Sequence, residues 1–294
     1  MTDARQLTMV LGGRWCGNYG VAPCPVCQPD RKRTQNALTL AEGRVGLLAH
    51  CKKSDCKFTD ILWATGLSHR EHITLEATKT SAREAERHIQ LVRREASARN
   101  IWNETCPIGS TVAEKYLRDA RRITSDLPTT LRFHQRLIHG HTKSFHPALV
   151  ALVEGGKGFA IHRTWLKPDG SGKASIEPSK AMLGSTSGGA VRLAEGGSRL
   201  VVGEGLESTL SLSCGLLESP ATLWAGLSTS GIRGLSLPEP PGKLTIAADG
   251  DQPGREAAYA LAERAQALGW AVGILDPGTG FDFNDILVGK AFVP

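Results

Sequence analysis

Long apolar runs are missing from this 294-residue chain. None approaches the roughly 18 residues that a membrane span requires, so no membrane partner is expected. The opening stretch, MTDARQLTMVLGGRW, lacks a basic segment followed by a long apolar one. It therefore does not read as a secretory signal, and a cytoplasmic location is expected. In a reducing compartment the seven cysteines are metal ligands or free thiols rather than disulfides. Aromatic residues are scarce at 5%, and none of the three tyrosines, Tyr19, Tyr116 and Tyr259, has an evident nucleophile setting. The last two lie in helical stretches.

What is present is a length sufficient for two or three units and an uneven distribution of charge. The net charge is +4 over residues 1–69, +5 over 70–143, +2 over 144–198 and −5 over 199–294. A basic front and an acidic back suit a chain that grips phosphates with one part and holds cations with the other.

Residues 1–66 contain Cys24-Pro25-Val26-Cys27 and, after 23 intervening residues, Cys51 and Cys56. Between the pairs, residues 36–40 and 44–49 read as a hairpin around Glu42-Gly43. Two cysteine pairs bridged by a hairpin can close a tetrahedral zinc site in a module too small to fold on its own core. The second pair is wider spaced than the first, and His50 competes with Cys51 for the last place. Cys16, Cys106 and Cys214 have no partner in the pattern. Arg31, Lys32, Arg33, Lys52 and Lys53 crowd this module as candidate DNA contacts, with Lys57 beside them. Trp15, Tyr19 and Phe58 offer stacking faces for single-stranded bases.

Residues 67–105 read as a basic helical linker, with helical periodicity over 78–103 and a solvated arginine-rich face. Residues 111–122 form another helix with a basic end. The rest of 106–198 is a basic α+β subdomain with strands at 148–153 and 159–166. Arg163, Lys180 and Arg192 are its candidate phosphate-binding residues.

Residues 199–294 alternate strand and helix: strands at 200–202, 222–225, 244–248 and 271–275, with helices at 206–217, 232–235, 255–268 and 283–288. This pattern predicts an α/β fold, a parallel sheet with helices on both faces. Asp249-Gly250-Asp251 follows the third strand, and Pro253 then opens a helix. An Asp-x-Asp turn is by itself more often a pair of solvated turn-formers. Glu204, between Gly203 and Gly205, follows the first strand, and Asp282 follows the last. Acids thus gather at the sheet edge where open α/β folds bind ligands, and the glycine between the aspartates allows both to converge on one hard cation.

The segments VVGEGLEST, IAADGDQPGREAA and GFDFNDIL resemble the Toprim domain shared by bacterial-type primases, topoisomerases and some nucleases. A zinc module, a basic middle region and then Toprim is the order found in plasmid and phage primases, and PSKAMLGSTSGGAVRLAEG is similar to the segment preceding Toprim in that group. Phe281 stands where the family usually has lysine, and the family often has a histidine at one of the positions held by Cys24 and Cys27.

The resemblance implies a Rossmann-like Toprim fold preceded by a β-rich basic subdomain of the polymerase core and a zinc ribbon. It implies Mg²⁺ or Mn²⁺ held by Glu204, Asp249 and Asp251 with Asp282 assisting, Glu204 being either ligand or general base. Arg255 holds phosphate or an acidic neighbour. The expected activity is synthesis of short RNA primers by two-metal nucleotidyl transfer, from ribonucleoside triphosphates on a single-stranded DNA template. A replicative helicase in trans is the expected partner. The alternatives are a Toprim nuclease and a non-catalytic zinc protein similar to recombination mediators.

Overall fold

Alternation along the hairpin strands explains how the smallest part of the protein finds a core. The computed structural model describes residues 4–30, 36–43, 47–65 and 69–290, with the side chains of 69–84 outside the description. It divides into two compact units, Met1–Ile89 and Gln90–Pro294. The first begins with helix α1 (Ala4–Val10), followed by β1 (Arg14–Cys16), β2 (Tyr19–Ala22), β3 (Leu38–Glu42) and β4 (Leu47–Cys51). These strands form one antiparallel sheet in chain order. Leu38 and Leu40 point inward from β3 onto Leu7, Leu11 and Ile61, the last from α2 (Phe58–Ala64). The hairpin foreseen from the sequence is β3–β4, its register running from Leu38 opposite Cys51 to Glu42 opposite Leu47. Buried Cys24 and Cys51 belong to the same core, so apolar packing and the thiol cluster hold one another.

Helix α3 (His69–Asn103) is longer than its apolar periodicity predicts. Its last turns set Ala98, Ile101 and Trp102 against Ile161 and Trp165. A short strand β5 (Cys106–Pro107) follows, then α4 (Val112–Lys115), which starts at Thr111, whose hydroxyl accepts from the Glu114 N–H. The expected helix over 111–122 continues past α4 as a single π-type turn, Tyr116–Ala120. Strands β6 (Leu131–Ile138), β7 (Phe145–Val153), β8 (Ala160–Trp165) and β9 (Lys180–Gly184) join β5 in an antiparallel sheet ordered 5-6-7-8-9.

The C-terminal sheet is built from β10 (Val191–Ala194), β11 (Arg199–Gly203), β12 (Thr222–Ala225), β13 (Lys243–Ala247) and β14 (Ala271–Leu275), in the order 10-12-11-13-14. The last four are mutually parallel, and β10 closes one edge antiparallel to β12. Helices α5 (Leu206–Ser211), α6 (Thr229–Gly234), α7 (Gln252–Ala267) and α8 (Phe283–Leu287) connect and flank them. Val201 and Ala247 face α5 and α8 on one side, whereas Leu200, Val202, Leu244 and Ile246 face α6 and α7 on the other. Helices on both faces of a largely parallel sheet were expected from the alternating pattern, and the structure has them. The expected helix over 206–217 is α-helical to Ser211 and continues as a π-type turn, Leu212–Leu216, in which Cys214 and Gly215 leave helical geometry, Gly215 at φ 94°.

Ile108, Leu117, Leu131 and Leu149 share one core with Val201, Leu206, Leu210 and Phe283, so the antiparallel and parallel sheets pack as a single body within Gln90–Pro294. No helix among the described residues is long and apolar enough to cross a membrane.

Candidate active site

The strand order determines where chemistry can gather. From β11 the chain crosses to β12 on one side, and from β13 it crosses to β14 on the other. Between β11 and β13 the connections diverge and leave a crevice at the carboxyl ends of the strands. Glu204 is the residue after β11, and Asp249 stands just past β13.

The loop carrying Asp249 is pinned from outside its own strand. Gly250 N–H donates to the Phe281 carbonyl at 2.9 Å, and Gly280 N–H donates to the Gly250 carbonyl at 2.8 Å. A Cβ at position 250 would run into the carbonyl oxygens of Gly278 and Phe281. Gly250 is therefore demanded by close backbone approach, not by a positive φ. The same loop pairing brings Asp282 back toward the aspartate pair.

Asp251 and Asp282 each spend one oxygen on a helix start. Gly254 N–H donates to Asp251 Oδ1 at 2.7 Å. Asp285 N–H donates to Asp282 Oδ1 at 2.8 Å, and the Asp285 side chain accepts in return from the Asp282 N–H. Asp249 is different. Its Oδ1 is buried with no hydrogen-bond donor among the described residues. Burial, then the charges of Glu204, Asp282 and Asp251, push its pKa up to about 7, with Lys180 acting in the opposite sense. Glu204 is also raised, by burial first and then by Asp251, against the pull of Lys180 and the Thr229 N–H. The four expected acids and Lys180 thus face one another.

A like-charge cluster around an orphaned buried oxygen fits a divalent cation. Among the described residues only the four cysteines bring three or more ligand atoms within 4.8 Å of one another. The acids form a wider set, which suits Mg²⁺, an ion that keeps waters and substrate oxygens in its shell.

The other expected phosphate contacts separate. Along β8, Ile161, Arg163 and Trp165 point to the α3 side, and His162 and Thr164 to the other. Lys180 pairs with Thr164 and shares its face; Arg163 pairs with Ala181 and lies across the sheet from the acids. There Arg163 stacks on Trp165 at 5.0 Å, and burial with nearby Arg94 lowers its pKa to about 10. Arg192 lies over the Trp224 ring and lines a different cavity with Thr130 and Glu154. Arg255 takes the acidic neighbour: its Nε donates to Asp276 Oδ2 at 2.7 Å and its Nη2 to Oδ1 at 3.1 Å. It braces the 276–279 loop instead of opening toward the acids.

One group of residues beside this site was missed by the sequence reading. Glu207 is buried, with Tyr116 Oη donating to its Oε1 at 2.7 Å and Lys173 Nζ lying 3.0 Å from the same atom. Burial alone would raise Glu207, but Lys173, the Tyr116 hydroxyl and Arg121 outweigh it and hold the carboxylate well below its usual range. Arg121 donates to Tyr116 Oη and to Asn284 Oδ1, and Asn284 donates back to the Arg121 carbonyl and to Ser211 Oγ. The network ties α8, whose start is Asp282, to α5 and to the Tyr116–Ala120 turn. Glu207 three residues after Glu204 was the available signal, yet nothing local marks it as buried.

In the first unit Cys24, Cys27, Cys51 and Cys56 bring their sulfurs within 4.8 Å of one another. Asp55, at φ 44°, turns the wider second pair inward, and its N–H donates to the Cys51 carbonyl at 3.1 Å. Burial raises Cys51, but the backbone N–H groups of Ser54, Cys56 and Lys53 outweigh this and lower it to about 6. His50 does not compete for the site; it is exposed and lies 3.7 Å from Asp55. The cluster fits a zinc ion. Lys52 and Lys53 are exposed beside it, as are Tyr19 and Phe58, whereas Trp15 is half-buried with its indole N–H on the Gly17 carbonyl. Arg31, Lys32 and Arg33 lie outside the described residues.

The region that holds the acids also matches a known domain. Residues 199–291 match the Toprim domain, and residues 92–193 match a domain of unknown function, DUF7146. The chain therefore carries a Toprim domain. No curated protein matches it. Among solved structures it is similar to a DNA primase domain from Pseudomonas aeruginosa, at 18% identity over 53% of this chain and 52% of that one, with a TM-score of 0.33. The chain spans about half of that structure's length. It is also similar to the zinc-binding and RNA polymerase domains of Aquifex aeolicus primase, at 12% identity over 97% and 80% of the two chains, TM-score 0.37. A third is the RNA polymerase domain of Mycobacterium tuberculosis primase, at 16% identity over 70% and 80%, TM-score 0.37.

Proposed function

We propose that this protein is a primase that joins ribonucleotides into short primers on a single-stranded DNA template. The observation that carries the reading is the convergence of Glu204, Asp249, Asp251 and Asp282 around the orphaned Asp249 Oδ1, with Lys180 opposite. Glu204, Asp249 and Asp251 hold Mg²⁺ or Mn²⁺, with Asp282 assisting. When bound, such ions lower the pKa of an attacking hydroxyl and stabilise a departing pyrophosphate. Lys180 neutralises triphosphate oxygens, and the alternative role of Glu204, in place of metal binding, is to accept a proton at its carboxylate, for which its raised pKa suits it. Gly250 and the Phe281 loop keep Asp249 at the carboxyl edge of the sheet.

The module at residues 1–66, with zinc on Cys24, Cys27, Cys51 and Cys56, holds the template; Lys52 and Lys53 are its contacts, and Arg31, Lys32 and Arg33 are assigned the same role on sequence alone. Residues 67–105 link it to the polymerising core, whose basic subdomain is 106–198 and whose catalytic domain is 199–294. This reading goes with a cytoplasmic setting, a plasmid or phage origin and a helicase supplied in trans.

The test is primer synthesis from labelled ribonucleotides on single-stranded DNA with Mg²⁺. Products that vanish in the Asp249→Ala protein support the reading. Pure protein that binds metal and yields no primer on any template removes it, and metal-dependent nicking of plasmid in the same experiment makes it a nuclease instead.

A further inference from the structure

The first turn of α8, which begins at Asp282, is fixed by residues far from it in the chain. Phe283 donates its N–H to Ser208 Oγ of α5 at 3.1 Å. Asn284, only 2% exposed, donates to Ser211 Oγ at 3.0 Å and to the Arg121 carbonyl at 2.8 Å. The Arg121 side chain completes the set: its Nη1 donates to Asn284 Oδ1 at 3.2 Å and its Nε to Tyr116 Oη at 2.9 Å. With a guanidinium before its oxygen and two acceptors before its nitrogen, the Asn284 amide has one orientation that serves all three bonds. Behind Tyr116 stands buried Glu207, which accepts the Tyr116 O–H at 2.7 Å and pairs with Lys173 Nζ at 3.0 Å.

The chain bends to bring this arginine in. Tyr116–Ala120 is a π-type turn closed by the Arg121 N–H on the Tyr116 carbonyl at 3.2 Å, and Arg122 after it stands at φ 57°. Single π-type turns and left-handed non-glycine residues both collect at functional sites. Burial works against the charge of Arg121, yet Tyr116, Glu207 and Asp282 outweigh it and raise its pKa. The guanidinium is therefore within electrostatic reach of Asp282, although its hydrogen bonds go to Tyr116 and Asn284. Its two possible effects on a divalent ion at the acids have opposite signs. As a charge it would repel the ion; as an anchor for Asp282 it would favour binding.

We propose that Arg121 is a positioning residue: through Asn284 it fixes the first turn of α8, and so the place of the Asp282 carboxylate relative to Asp249. Glu207, held by Tyr116 and Lys173, keeps the guanidinium in place. The inference rests on the reading of the acids as a divalent-metal site.

The test titrates Mn²⁺ into the zinc-loaded full chain by electron paramagnetic resonance. It also compares hydrogen exchange, without Mn²⁺, in peptides covering residues 280–288 and 243–247. Arg121→Gln should weaken Mn²⁺ binding about tenfold, as loss of a group that orients a ligand does. It should also speed exchange in 280–288 and leave 243–247 unchanged. Arg121→Lys, which keeps the charge but loses the two directed bonds, should weaken binding in the same direction. Asp282→Ala should weaken Mn²⁺ as well, and Arg121→Gln should add nothing in that background. In primer synthesis, Arg121→Gln should raise the Mn²⁺ needed for half the maximal rate and leave the maximal rate in place. Unchanged or tighter Mn²⁺ binding in Arg121→Gln, a further loss on top of Asp282→Ala, or exchange that rises equally in both segments each overturns the proposal. Faster exchange in 280–288 with no Mn²⁺ bound by the unaltered protein sinks the metal reading and leaves Arg121 as the anchor of α8. Mn²⁺ binding that is lost in Asp249→Ala and untouched in Arg121→Gln sinks the anchor alone.

Discussion

Asp249 and Asp251 are chemically identical and two residues apart, yet they do different work. Asp251 is exposed and caps α7, whereas Asp249 is half-buried with an unmet oxygen. Asp249→Asn and Glu204→Gln should each lower primer synthesis roughly 100- to 1,000-fold, read by initial rates at saturating Mg²⁺. Asp249→Asn should also raise the melting temperature of the metal-free protein, because it relieves like-charge repulsion; a lower melting temperature would count against a repulsive cluster.

His162, on the face of β8 that Lys180 shares, gives a further pH dependence. Burial first, then Lys180, Lys173 and Arg163, lower its pKa to about 4, against the attraction of Glu207. Between the ordinary histidine value near 6.5 and 4, the unfolded chain binds a proton that the folded chain refuses. Stability therefore falls as pH drops through that window, by up to about 3 kcal/mol. His162→Gln should flatten this part of a melting-temperature profile, and an unchanged slope from pH 7 to 4 would refute the assignment.

Elements carry the acids to one edge, and their legibility varied with how local the cause was. Strands 222–225 and 271–275 were readable to the residue, because apolar runs between turn residues decide them locally. The end of α5 was not, because a helical apolar pattern continues through Ser213 to Leu217 while Gly215 adopts a positive φ. Gly250 shows the same limit: its need was legible, but the reason, a carbonyl contact from the 278–281 loop, was not. Gly250→Ala should cost on the order of 2–4 kcal/mol, seen as a lower denaturant midpoint together with weaker Mg²⁺ binding. Full retention of both would show that the two loops are not locked together. Tyr116→Phe should cost about 1–3 kcal/mol, since Glu207 loses a buried donor.

At the scale of the whole molecule the protein is two compact units with different means of cohesion. Gln90–Pro294 rests on large apolar cores, whereas Met1–Ile89 adds a four-thiol cluster to a small one. The full chain should bind one zinc ion. Stripping it, or replacing Cys56 by Ser, should expose the amides of β3 and β4 to hydrogen exchange while those of β11 and β13 stay protected. Protection of β3 and β4 that survives complete metal removal would show that the apolar core suffices.

From residue order alone came the paired cysteines, the acids at strand ends, the basic front and acidic back, and the alternation of strand and helix. Each depends on neighbours within a few positions, so spacing reveals it. Only the folded chain decided that Asp249 is half-buried while Asp251 lies outside, that His50 turns from the thiols, that Arg163 lies across the sheet from Lys180, and that Arg255 is committed to Asp276. Those outcomes depend on burial, strand register and loop contact among residues far apart in the chain, where no local pattern reaches.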